Sequence, residues 1–114
     1  MSDRTLFLVF TKPVDGMEDE YNKWYDDVHV HDVARVPGVV SAQRYDLAHP
    51  GPGGGEPAHR HLAIYELEGD PAIAMDAMMS RFLTEEMPGS DALDLGQTAM
   101  AVWRPRGPRV EAKP

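Results

Sequence analysis

Residues 20–45 read EYNKWYDDVHVHDVARVPGVVSAQRY, and this stretch holds the densest mix of aromatic and ionisable side chains in the chain. At about 100° per residue, a helix through it places Met17, Tyr21, Trp24, Tyr25 and Val28 on one apolar face, as a core-covering helix requires. His29 and Asp32 fall on the same face. A carboxylate within an apolar stripe, close to an imidazole and a phenol, departs from the polar-out rule in the way functional pockets do. Pro37 and Gly38 stop the helix, with Arg35 in its last turn where the dipole favours a cation. Val39 to Leu47 then alternates as a strand, with Val39, Ser41, Gln43, Tyr45 and Leu47 on one face and Val40, Ala42, Arg44 and Asp46 on the other.

Before this unit, Leu6 to Phe10 is apolar on both faces and rich in Phe and Val, so it reads as a strand covered on both sides. Asp15 is the expected N-cap of the first helix, with Glu18, Asp19 and Glu20 suited to its positive end. After the unit, His49 to Ala58 (HPGPGGGEPA) is a Pro/Gly loop, expected to be mobile. In Arg60 to Leu67, Leu62, Ile64 and Glu66 alternate with His61, Ala63, Tyr65 and Leu67, predicting a third strand. Asp70 and Pro71 start a second helix whose broad apolar face takes Ile73, Ala74, Met75, Ala77, Met78, Met79 and Phe82. Such a methionine-rich stripe reads as core before it reads as a ligand pocket. Met87 to Gly96 is a loop, Thr98 to Trp103 a last strand, and the Pro-rich tail is expected to be disordered.

The order strand, helix, strand, strand, helix, strand predicts an α+β, ferredoxin-like βαββαβ sandwich: an antiparallel four-stranded sheet with two helices on one face. Its other face is also apolar at strand one, so two such sheets are expected to pack together as a homodimer. The length of 114 residues fits one domain, assigned to 1–104, with 105–114 as the tail. A net charge of −8 without a basic stripe argues against a nucleic-acid partner. Absence of cysteine removes disulfide, thiolate and zinc-thiolate chemistry and suits the cytoplasm. The N-terminal apolar run is too short to span a membrane, and no cleavage site follows it. No G-x-G-x-x-G, G-x-S-x-G or P-loop motif is present, so nucleotide, flavin and serine-hydrolase readings find no support.

WYDDVH, followed by VPGVVSAQRY, resembles the dimeric α/β-barrel superfamily and, within it, the EthD-like proteins, whose first helix commonly carries W-Y-D-x-x-H before a P-G turn. The element order extends the resemblance over most of the chain, while the specific residues lie between Asn22 and Tyr45. The superfamily includes small monooxygenases, polyketide cyclases, hydroxynitrile lyases, muconolactone isomerase-like enzymes and haem-degrading proteins. The resemblance marks His29, with Trp24, Tyr25 and Asp26 beside it and Arg44 on the second strand. His31 stands where many relatives have proline.

His29 is the candidate general acid or base, since an imidazole near neutral pKa needs only a neighbour to fix its tautomer; Asp26 or Asp32 would be that neighbour. Tyr25 or Tyr21 would hydrogen-bond a substrate carbonyl or enolate, with Trp24 lining the site. Arg44 would bind a carboxylate or phenolate, or pair with Asp26 or Asp32. A metal site built from His29, His31, Asp32, His59 and His61 is disfavoured: His29 and His31 diverge by about 200° on a helix, and His59 and His61 read as solvated. The expected function is a cofactor-independent enzyme acting on a small apolar carbonyl or phenolic compound in a cleft between helices and sheet, as a cyclase, dehydratase, isomerase or monooxygenase-like catalyst. The alternatives are a non-catalytic, stress-associated small-molecule binder and a haem or metal binder through histidine.

Overall fold

The computed structural model of the protein describes residues 4–114. Strand β1 spans Thr5–Thr11, helix α1 Glu18–Trp24, and helix α2 Val30–Ala34, with Tyr25–His29 joining the two helices as a π-helical turn. Strands β2 (Val39–Asp46) and β3 (His61–Leu67), helix α3 (Pro71–Arg81) and strand β4 (Ala99–Trp103) follow, with a short 3₁₀ turn at Leu95–Gln97. The strands form one antiparallel sheet in the order β2-β3-β1-β4, which is the ferredoxin-like arrangement expected from the element order. Two helical rods, α1 with α2 and α3, cover one face of it. No helix among the described residues is long and apolar enough to cross a membrane.

Sheet alternation sorts the strands cleanly where β1 and β3 run beside each other, Phe7 opposite Tyr65 and Val9 opposite Ala63. Phe7, Val9, Ala63, Tyr65 and Leu67 face the helices and are buried; their rings include the cross-strand pair Phe7–Tyr65 at 5.8 Å. Leu6, Leu8, Phe10, Leu62 and Ile64 take the other face and remain half-buried. Tyr21, Tyr25, Val33 and Val36 close the core from the first rod, and Ala74 and Met78 from α3.

Four expectations about local phase are corrected. The first helix begins at Glu18, without a side-chain cap, and not at Asp15. Gly16 takes φ +82°, a left-handed turn that Met17 N–H closes onto the Val14 carbonyl at 2.9 Å, so no helix passes through it. Val28 is 36% exposed because the π-helical turn bonds i to i+5, so each residue advances through a smaller angle than in an α-helix. In β2 a bulge between Val39 and Ser41 inserts Val40, which is exposed; Val39 thereby joins Ala42 and Arg44 on the helix side instead of Ser41 and Gln43. In α3 the N-cap is as expected, with the Asp70 carboxylate accepting from Ala72 N–H at 2.9 Å. Its apolar face is narrower than expected, and Ile73 and Met79 are 64% and 68% exposed.

The segment from Met87 to Gly96 contains buried Met87 and Ala92, so it caps the core as well as connecting elements. The Pro13–Leu93 bridge and the bond from Val14 N–H to the Ala92 carbonyl at 2.7 Å hold it beside β1. Residues 104–114 carry no regular secondary structure and are exposed.

Candidate functional site

The expected site residues separate into two groups on either side of Tyr25. On the sheet side, Arg44 projects inward from β2 beneath the first rod. Its Nη1 donates to Asp26 Oδ1 at 2.7 Å and its Nη2 to Asn22 Oδ1 at 3.1 Å, with Tyr21 hydroxyl at 3.5 Å. The guanidinium carbon lies 4.4 Å from the Tyr25 ring centre and 5.3 Å from that of Tyr21, close enough for cation–π attraction. Burial works against the Arg44 charge, but Asp26 and the two tyrosines more than offset it, and the net pKa shift is upward. Asp26 is therefore Arg44's partner.

Tyr21 hydroxyl makes a short hydrogen bond with Thr11 Oγ1, and Tyr25 hydroxyl stands 3.5 Å from Tyr65 hydroxyl. Burial raises the pKa of all three phenols, Tyr25 to about 12, so each keeps its proton and remains a donor at neutral pH. The space that was expected to be a cleft between helices and sheet is filled by these rings.

On the far side of Tyr25, His29 is 9% exposed. Its ring stacks on Trp24 at 4.5 Å and 19°, meets Tyr25 edge-on at 5.0 Å and has Phe82 at 6.3 Å. Trp24 Nε1 donates to the Pro88 carbonyl at 3.2 Å and so ties the 82–88 segment to the same place. Burial lowers the His29 pKa from 6.5 to about 4, with the Asp32 charge opposing, so the ring is neutral at pH 7. The helix continues past exposed His31 into α2 and keeps Asp32 near His29, but neither Asp26 nor Asp32 hydrogen-bonds the ring. Asp32 Oδ1 accepts from Arg35 at 2.9 Å, while Asp32 Oδ2 and His29 Nδ1 are both buried without a hydrogen-bond partner.

His61 was expected to be solvated and is instead 9% exposed at the start of β3. Its Nδ1 is 3.0 Å from Asp46 Oδ1, its Nε2 is 3.6 Å from Glu18 Oε2, and the Tyr21 ring lies 5.1 Å away. The signal was in the sequence: His61 shares its alternation phase with Ala63, Tyr65 and Leu67, the helix-facing set. It borders a cavity of about 290 Å³ that also reaches Glu56, Pro57 and Ala58 at the end of the Gly/Pro segment. A second cavity of about 220 Å³ lies around Phe10, Tyr45 and Leu47. His29 borders neither. His59 lines the second cavity beside Phe10, ring centres 5.8 Å apart, with Nε2 2.6 Å from the Gln97 carbonyl. Among the described residues no three His, Asp or Glu side chains converge to hold a metal ion.

No family model matches the chain. No curated protein sequence matches it either. Solved structures do. A candidate monooxygenase from Shewanella loihica superposes with a TM-score of 0.61 at 17% identity, covering 96% of this chain and 99% of that one. The chain has the ferredoxin-like fold. An EthD family protein from Bacillus halodurans superposes with a TM-score of 0.55 at 14% identity, covering 96% of this chain and 100% of that one. The haem degrader MhuD from Mycobacterium tuberculosis, with two haems in its active site, gives a TM-score of 0.55 at 14% identity over 93% of this chain and 99% of that one.

Proposed function

We propose that the protein is a small homodimeric, cofactor-independent enzyme that moves a proton on a small apolar carbonyl or phenolic compound, with His29 as the acid or base. The observation that carries this reading is the pair of buried, unpartnered polar atoms, His29 Nδ1 and Asp32 Oδ2, three residues apart on the first rod. Leaving such atoms unpaired costs about 1–3 kcal/mol each, and positions that bear this cost are often functional. A neutral imidazole can donate its N–H to polarise a carbonyl or accept a proton from an acidic carbon or phenol. Asp32 stabilises the imidazolium once formed. Arg44, held by Asp26 and Asn22 across the Tyr25 ring from His29, steadies that ring and does not meet the substrate. The absence of cysteine accords with a cytoplasmic setting.

Haem chemistry, the activity named for MhuD, fits these residues poorly. His29 is packed between Trp24, Tyr25 and Phe82, which leaves no face of its ring open to a macrocycle. The test is turnover across a panel of small phenolic and carbonyl compounds. For a compound that reacts, His29→Ala is expected to lower kcat by about 10²–10⁴-fold, the usual worth of a positioned acid or base, while circular dichroism stays unchanged. Full activity in that variant would refute the assignment, and unchanged ligand affinity without turnover in either protein would point to a binding protein.

The dimer rests on the open sheet face, where Leu6, Leu8, Phe10, Leu62, Ile64 and Trp103 form an apolar surface that no helix among the described residues covers. A second copy packed sheet to sheet would bury it symmetrically. Light scattering at micromolar concentration is expected to give twice the chain mass for the native protein and a monomer for Ile64→Glu. A native monomer would sink the two-sheet arrangement.

A further inference from the structure

The alternation that turns His61 toward the helices also places it in the wall of the 290 Å³ cavity, beside Thr11, Pro13, Val14, Glu18 and Pro57. An ionised Asp46 can only accept a hydrogen bond, so the 3.0 Å contact places the neutral ring's proton on Nδ1 and leaves a lone pair on Nε2. That Nε2 is buried and has no hydrogen-bond partner, although Glu18 Oε2 stands 3.6 Å away. Two acceptors side by side do not satisfy each other. Nε2 calls for a donor, Glu18, with its side chain 62% exposed, accepts a second one in place of water, and their spacing suits two hydroxyls on adjacent carbons. Pro13, Val14 and Pro57 provide apolar wall for a ring, and the volume accommodates a small aromatic compound. Lys12 and Arg60 also line the cavity; Arg60 is held by Glu56 at 2.5 Å.

We propose that this cavity binds an ortho-dihydroxy aromatic compound, one hydroxyl donating to His61 Nε2 and its neighbour to Glu18. His61 then takes the first proton: the ligand O–H bond breaks, the Nε2–H bond forms, the electron pair stays on the ligand oxygen, and Asp46 balances the imidazolium. This site lies across the Tyr21–Tyr25 pair from His29 and stands independently of the function proposed above.

The probe is 4-nitrocatechol, whose ionised form absorbs at longer wavelength than its neutral form, mixed with the full chain at about pH 6.5, where the free compound is partly neutral and an ordinary imidazole is still partly unprotonated. The native protein is expected to shift the spectrum toward the ionised form and to bind this probe at least about tenfold more tightly than 4-nitrophenol, the worth of one added charge-assisted hydrogen bond. His61→Gln is expected to abolish the shift, and Glu18→Gln to remove the preference for the diol. If His61→Gln loses its fold by circular dichroism, Asp46→Asn serves instead: it keeps the ring but weakens its hold on the proton, and the shift is expected to shrink. No spectral change with the native protein, or a shift that survives both His61→Gln and Asp46→Asn, would overturn the proposal. Because binding is read without turnover, the outcome is separate from that of His29→Ala.

Discussion

Lowering the pH from 7 to 4 is expected to reduce the unfolding free energy by about 3 kcal/mol through His29 alone. The ring has its ordinary pKa of 6.5 when unfolded and about 4 in the fold, where burial between Trp24, Tyr25 and Phe82 disfavours the charged form and Asp32 only partly compensates. Between these values the unfolded chain binds a proton that the native protein does not, so stability rises with pH across that window. A shift of this size, at about 1.4 kcal/mol per unit, gives the stated figure. Above pH 6.5 both states are neutral at this position and the contribution is flat. Below about pH 4 both states are protonated and the loss is complete. His29→Gln removes the titration, and carboxylates common to both proteins cancel in the comparison. With the neutral-pH difference subtracted, urea unfolding of the two proteins should give curves that separate as pH falls, the native protein losing more stability than the variant. Parallel curves would mean that the imidazole is not held in an apolar setting.

Leu67→Ala is expected to lower stability by about 3 kcal/mol, within the range for truncating a buried leucine in a core that relaxes only partly. Leu67 is 0% exposed and sits at the end of β3 with Thr5 on one side and Val39 on the other, where three strands meet the first rod. The control is Met79→Ala on the exposed side of α3, expected to change stability by less than about 0.5 kcal/mol. Chemical denaturation distinguishes the two. Equal effects would show that the core does not run beneath β3.

Signals with one local physical cause could be read from the sequence. Asp70 caps α3 because its short carboxylate reaches a backbone N–H two residues on. Alternation alone sorted β1 and β3, since period 2 is enforced wherever both neighbours are regular strands. Arg44 and Asp26 were one of the pairings open to Arg44, and they meet because a long cation entering beneath a helix needs a carboxylate at its surface. The errors arose where local geometry changes phase. A uniform 100° step cannot anticipate the π-helical turn that exposes Val28, and strict alternation cannot anticipate the extra residue Val40 in β2.

His61 shows a different limit. Its phase was visible, but its environment comes from Glu18 on α1, Asp46 at the end of β2 and Tyr21 beneath, each distant in sequence. The chain by itself determined the element order, the helix-facing aromatics of the first rod and the unsatisfied apolar surface on the open sheet face, because periodicity and composition act over a few residues. Tertiary structure decided which histidine is sealed among rings and which borders a cavity, and that Arg44 answers Asp26, because those depend on which elements the sheet order β2-β3-β1-β4 brings together.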